Sequence, residues 1–206
     1  NDRRHPRKQK RPLAAGSVSV ASGVILAPIL LLASGSIALS VGPAFVVALL
    51  TYYVLTCAYS VVLKKIVLLD CLVLAALYTL RVVAGAAAIS LGLSFWLVAF
   101  SVFLFLSLAF VKRFVELQEL TGNDSSENLH GRGYSYRDMS FIQMLGVAAG
   151  FVSVLVLALY IDTTASEQLY TMPEMVWGAV AIMLFWISWI WLKANRGEMH
   201  DDPVVF

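Results

Sequence analysis

From about residue 17 onward, long apolar runs alternate with short polar breaks. The runs cover about 17–40, 43–62, 67–90, 93–111, 140–160 and 174–192. Each holds about 20 residues, enough for a helix to cross roughly 30 Å of hydrocarbon. In lipid a helix satisfies its own backbone hydrogen bonds, so helices are the default for such runs. The pattern predicts an all-α fold, a polytopic transmembrane bundle with six spans. No run reads as a cleaved signal peptide, because no small-residue cleavage site follows the basic opening.

The breaks give an orientation. Six spans put the stretches 1–16, 63–66, 112–139 and 193–206 on one face. Of the 15 Lys and Arg residues in the chain, all but Arg81 fall in these stretches. The opposite connections, around 41–42, 91–92 and 161–173, contain neither Lys nor Arg. Basic loops mark the cytoplasmic face, so the four basic stretches are expected there. The outer connections are mostly short turns, such as Val41-Gly42-Pro43, whereas the inner ones are polar and longer. Chemistry is therefore expected on the inner face. No internal repeat is visible, which weighs against a secondary transporter.

Composition agrees with a membrane reading. The chain is 60% hydrophobic and 14% charged, with a mean hydropathy of +0.81. Soluble domains are about half apolar and about a quarter charged. A soluble globule, a disordered chain and a nucleic-acid-binding domain are all excluded on this ground. The two cysteines, Cys57 and Cys71, lie inside apolar runs and read as small packing residues, too few for a disulfide framework. The first residue is Asn rather than Met, which marks the chain as an expected fragment or processed product.

Several polar residues need a reason. Asp70 and Arg81 lie in the third apolar run. Ionisable groups at membrane depth are costly and usually mark function or pairing. Eleven residues is close to three turns, so both share a helix face about 16 Å apart along the axis. They cannot pair with each other, and each needs a partner on another helix or a polar ligand. Tyr59 and Lys64 close the second run and could donate to an anion. The alternative is an interfacial aromatic with a snorkelling lysine. Lys112, Arg113 and Glu116 continue the fourth run beyond the membrane. Their spacing lets them share a face that could hold phosphate; the alternative is a solvated helix end with an intrahelical ion pair. The stretch His5-Pro6-Arg7-Lys8-Gln9-Lys10-Arg11-Pro12 is topogenic charge or a headgroup-binding loop. His130-Gly131-Arg132-Gly133-Tyr134 reads as a polar loop with anion-binding potential. There is no Gly-x-x-x-x-Gly-Lys, Gly-x-Ser-x-Gly, Cys-x-x-Cys or His-Glu-x-x-His, so P-loop, serine-hydrolase and zinc chemistry have no visible basis.

Taken together, the motifs resemble one family. Asp2-Arg3-Arg4-His5-Pro6-Arg7-Lys8-Gln9-Lys10-Arg11-Pro12-Leu13-Ala14-Ala15-Gly16 resembles the segment that closes the first aspartate-rich motif of the UbiA superfamily of intramembrane prenyltransferases. That motif runs Asn-Asp-x-x-Asp-x-x-x-Asp, and the match puts Asp2 at its last aspartate. Tyr59-Ser60-x-x-Leu63-Lys64 resembles the family's Tyr-x-x-x-Lys motif, one residue longer. Leu77-Tyr78-Thr79-Leu80-Arg81, Lys112-Arg113-x-x-Glu116-Leu117 and the tail Arg196-Gly197-Glu198-Met199-x-Asp201-Asp202-Pro203 are similar to the decaprenyl-phosphate phosphoribosyltransferase-like branch. That branch includes members preceded by a haloacid-dehalogenase-like domain.

The resemblance implies nine helices around a cavity open to the cytoplasm and to lipid, in a bacterial plasma membrane. Residues 1–206 would be one partial domain carrying the third to eighth helices. It implies Mg²⁺-dependent transfer with loss of diphosphate. Asp2 would be a metal ligand. Lys8, Arg11, Tyr59, Lys64, Lys112 and Arg113 would clamp phosphate, Glu116 would orient that clamp or touch metal or ribose, and Asp70 and Arg81 would line a deeper cavity. Asp2, Lys64 and Glu116 would be the catalytic set. The expected substrates are a polyprenyl phosphate with phosphoribosyl pyrophosphate or, in the aromatic branch, a polyprenyl diphosphate with an aromatic acceptor. Residues 112–138 lack the second Asp-x-x-x-Asp of the aromatic branch, which favours phosphoribosyl transfer. The chain begins after the earlier aspartates of the first motif, so alone it is expected to bind Mg²⁺ and diphosphate poorly. A lipid transporter or non-catalytic scaffold in the bilayer is the alternative of another class.

Overall fold

The 27 residues from Phe95 to Thr121 contain no Gly and no Pro, and they form one uninterrupted helix. It is the longest of six in the computed structural model, which describes residues 15, 19–121, 133–161 and 175–199. The helices are α1 (Val20–Val41), α2 (Pro43–Val61), α3 (Leu69–Ala88), α4 (Phe95–Thr121), α5 (Met139–Ile161) and α6 (Val176–Asn195). All six are long and apolar enough to span a bilayer. No β-sheet occurs among the described residues. The fold is the expected all-α bundle, and α4 continues past 111, so Lys112, Arg113 and Glu116 lie within a helix.

Local chemistry explains the junctions. Gly42 takes φ +143°, which side-chain-bearing residues rarely adopt, and Pro43 follows at the first position of α2. The α1–α2 turn thereby needs only one residue. Between α2 and α3 the chain makes a single 3₁₀ turn, Leu63–Lys65, which carries Lys64 and Lys65. Before α5, Ser135 and Asp138 form a reciprocal capping box around a 3₁₀ turn, Tyr136–Asp138.

Packing centres on α4 and α5, which share the largest interface, with α3 on the far side of α4 and α6 against α5. Two glycines of α5 allow the closeness. A Cβ at Gly146 would lie 2.7 Å from the Cβ of Phe110, and one at Gly150 would lie 2.7 Å from Ile187 Cγ2. These residues form a Gly-x-x-x-Gly pair, the spacing that brings small residues onto one helix face in membranes. The contact is sealed by Trp191, whose Nε1 donates to Ser107 Oγ at 3.1 Å, while Ser107 Oγ donates to the Gly146 carbonyl at 2.7 Å. By contrast, only 6% of the apolar span of α1 or α2 is buried, against 33% for α3, α4 and α5. Leu32 and Leu39 are about three-quarters exposed. Apolar side chains facing outward over this length are those of a multi-pass membrane protein.

Candidate functional site

The site begins with Asp70, in the first turn of α3, where the positive helix end favours a carboxylate. Its side chain is wholly buried. The partner is Arg113 of α4, also wholly buried, whose Nη2 lies 2.5 Å from Asp70 Oδ2. The Arg113 Nη1 pairs with Glu116 Oε2 one turn along α4, and the Glu116 side chain is 31% exposed. One guanidinium thus bridges a buried carboxylate and a partly exposed one. Two carboxylates and one cation give these three groups a net charge of −1.

The third element is Tyr134, buried at the end of the long inner loop. Its hydroxyl donates to Asp70 Oδ1 at 2.5 Å and accepts the Leu68 N–H at 2.7 Å. Its ring lies 5.4 Å from Arg113 Cζ. Cys71 Sγ is 3.7 Å from the same hydroxyl and donates to the Ala109 carbonyl at 3.8 Å. Burial, followed by the hydrogen bond to Asp70, pushes the Tyr134 hydroxyl above its usual range, so it stays a neutral donor. Leu68 stands just before α3 at φ 66°, ψ −40°. A non-glycine residue held there costs on the order of 1–3 kcal/mol, and its N–H is held by the Tyr134 hydroxyl.

The sequence-chosen residues divide into three groups. Tyr59, Asp70, Arg113 and Glu116 come together: Tyr59, half-buried near the end of α2, is within electrostatic reach of the other three. Lys64 and Lys112 are half-buried, one in the 3₁₀ turn before α3 and one next to Arg113 in the sequence of α4. Arg81 stands apart. It donates to the Tyr52 hydroxyl through Nε at 3.2 Å and Nη2 at 2.6 Å, and its Cζ lies 5.3 Å and 5.1 Å from the Tyr52 and Tyr78 rings. Asp2, Lys8 and Arg11 lie outside the described residues.

Three expectations change. Arg113 is not at a solvated helix end; its intrahelical pair with Glu116 exists, but the guanidinium is buried and also bound to Asp70. Both of its terminal nitrogens face carboxylates, and its buried Nε has no hydrogen-bond partner among the described residues. Asp70 does not line open space, because Arg113 and Tyr134 enclose it. The described end of the 130–134 stretch, Gly133-Tyr134, is docked in the protein rather than a free polar loop. Sequence reading named Tyr134 only as the end of a polar loop and gave it no part in the cluster. The available signal was a Gly-Tyr pair directly before a Ser-x-x-Asp helix start.

Mg²⁺ does not fit this cluster. No group of three metal-ligating side chains occurs among the described residues. Both carboxylates that meet here hold Arg113, and a dication would have to expel it.

The UbiA prenyltransferase family matches residues 1–201 of the chain. The chain is 38% identical over 207 residues to Uncharacterized protein y4nM of Sinorhizobium fredii, covering all of this chain and 40% of that protein. It is 34% identical over 207 residues to Nodulation protein NoeC of Azorhizobium caulinodans, covering all of this chain and 67% of NoeC. It is 30% identical over 189 residues to Decaprenyl-phosphate phosphoribosyltransferase of Mycolicibacterium smegmatis, 91% of this chain and 59% of that enzyme. The chain thus spans between 40% and 67% of these relatives.

Proposed function

The chain belongs to the UbiA prenyltransferase family, and we propose that the full-length protein transfers phosphoribosyl from phosphoribosyl pyrophosphate to a polyprenyl phosphate. A lipid phosphate oxygen attacks C1 of the ribose, the C1–O bond to pyrophosphate breaks, and pyrophosphate leaves with the bonding pair. The reaction belongs to the cytoplasmic face, where the basic loops gather. Lys64, Lys112 and the Tyr59 hydroxyl hold the diphosphate, and this is positioning plus electrostatic stabilisation of the leaving group. Glu116, the partly exposed carboxylate of the cluster, accepts from a ribose hydroxyl. Asp70 and Arg113 hold Glu116 and the α3 start in register. Lys8 and Arg11 add positive charge from the N-terminal stretch. The Mg²⁺ ion that the resemblance assigns to Asp2 belongs outside the Asp70–Arg113–Glu116 cluster. Arg81, about 16 Å along the axis from Asp70, is too distant to share the same phosphate.

The observation that carries this reading is Arg113 clasped between Asp70 and Glu116 on the α4 extension. In the aromatic branch a second aspartate pair is expected after this span, and none stands here. The name of the mycobacterial relative supports the same choice of substrate.

The test is pyrophosphate release by the full-length protein in nanodiscs with Mg²⁺. One arm receives phosphoribosyl pyrophosphate and polyprenyl phosphate, the other polyprenyl diphosphate and 4-hydroxybenzoate, each with Lys112→Ala beside it. Turnover in the first arm alone, lost in the variant, is the expected result. Turnover in the second arm alone moves the protein to aromatic prenylation. Silence in both overturns phosphoribosyl transfer and leaves another acceptor or the transporter or scaffold reading.

A further inference from the structure

The Asp70–Arg113 pair joins α3 to α4, but what fixes it comes from elsewhere in the chain. Tyr134 lies beyond the inner loop, 64 residues from Asp70, and is fully buried. It makes three separate contacts with the cluster: it donates to Asp70, it accepts from Leu68, and its ring lies against the Arg113 guanidinium. The residue before it is seated as tightly. A Cβ at Gly133 would lie 3.0 Å from Val67 Cγ2 and 3.3 Å from the Lys65 carbonyl oxygen. Gly133 and Tyr134 therefore sit directly on the Lys64–Leu68 turn, the turn that carries Lys64.

These contacts act on one another. The Asp70 carboxylate has two oxygens; Tyr134 takes Oδ1, and the other faces Arg113. Without the hydroxyl, Oδ1 loses the donor that fixes the carboxylate plane, and Arg113 is held less firmly. Glu116, on the opposite side of the guanidinium, follows. The Leu68 N–H also loses its acceptor, and the left-handed backbone there relaxes.

We propose that Tyr134 is a positioning residue that latches the segment entering α5 onto the α2–α3 turn and fixes the orientation of Arg113 and Glu116 for a diphosphate bound beside them. The inference rests on the transferase reading for its ligand, although the latch itself does not.

The experiment uses the full-length protein in nanodiscs and three forms: wild type, Tyr134→Phe and Ser107→Ala. The phenylalanine keeps the ring and removes only the hydroxyl. Ser107→Ala breaks a buried hydrogen-bond relay between Trp191 and the Gly146 carbonyl in the α4–α5–α6 core. Inorganic pyrophosphate with Mg²⁺ is titrated calorimetrically, and kcat and KM are measured for phosphoribosyl pyrophosphate and for polyprenyl phosphate. In parallel, alkylation of Cys71 by N-ethylmaleimide is followed by peptide mass spectrometry, because Cys71 is buried beside the Tyr134 hydroxyl.

Tyr134→Phe is expected to weaken pyrophosphate binding about tenfold, the loss of one hydrogen bond to a charged group. It is expected to lower kcat with the KM for polyprenyl phosphate unchanged, and to speed Cys71 alkylation severalfold. Ser107→Ala is expected to lower the melting temperature and leave pyrophosphate binding as in wild type. Tyr134→Phe that binds pyrophosphate like wild type overturns the positioning role, and unchanged Cys71 alkylation overturns the latch. If wild type itself binds no pyrophosphate, the transferase reading and the diphosphate-positioning role both fall, and the alkylation rates alone decide whether the latch exists.

Discussion

On α4, Arg113 is fully buried and touches two carboxylates; on the neighbouring α3, Arg81 is exposed and lies against two tyrosines. The charge is the same and the settings differ in kind. Arg113 is removed from water, so its charge is tolerable only while both acids remain. Arg81 has no carboxylate partner among the described residues, and its cation is met by ring faces and one hydroxyl. The lesson concerns consequence. Removing Arg113 strands a buried charge on Asp70, whereas removing Arg81 strands only a tyrosine hydroxyl.

The contrast can be broken most sharply at Arg113. Arg113→Leu is expected to destabilise by about 3–5 kcal/mol, because the buried Asp70 carboxylate loses its cation. Reversible unfolding in mixed micelles measures it. The double variant Asp70→Leu/Arg113→Leu is expected to recover most of that loss, and a double variant as unstable as the single one would mean that the pair contributes more than charge balance.

Arg81→Leu is expected to act in the opposite direction. It is predicted to make insertion of the α3 segment more favourable by about 3 kcal/mol, the scale of moving an arginine to the middle of a span. A translocon insertion assay on that segment reads this directly, and a loss of insertion would place Arg81 with Arg113 after all.

Tyr52→Phe sharpens the comparison at smaller scale. It removes the acceptor of two Arg81 N–H groups and keeps the ring, and the expected cost is about 1 kcal/mol. The smallest expected signal is spectroscopic. The Tyr134 hydroxyl ionises above its ordinary value, chiefly through burial. A group raised in this way contributes stability that is complete below the unfolded pKa of about 10 and is lost only as pH rises through the higher folded value. A titration of tyrosinate absorbance should therefore show wild type and Tyr134→Phe differing only well above pH 10. A difference appearing at or below that pH would mean the hydroxyl is not enclosed by Asp70.

Much of this was legible in the sequence, for reasons tied to particular residues. Six helices could be read because lipid leaves the backbone no other choice, and α4 ran on through Lys112-Arg113-Phe114-Val115-Glu116 because no breaker stood in the way. The need of Asp70 and Arg81 for separate partners followed from their spacing alone. The partners themselves were not legible. Asp70 meets Arg113 43 residues away and Tyr134 64 residues away, and one-dimensional spacing carries no information at that range. Tyr134 was also hidden by its neighbours, since His130-Gly131-Arg132-Gly133 reads as ordinary polar loop. The Gly146-x-x-x-Gly150 pair could have been found from spacing, because it is a local pattern with a known packing consequence.

The length of α4 has a consequence of its own. At about 1.5 Å per residue its 27 residues reach roughly 40 Å, against about 30 Å of hydrocarbon. Arg113 stands about 27 Å along it from Phe95, close to where oil gives way to water. A helix cut to that measure works as a depth gauge. It sets its charged turn at the level where oil gives way to water, so that the buried ion pairs of Arg113 close the apolar part of the helix and not its middle.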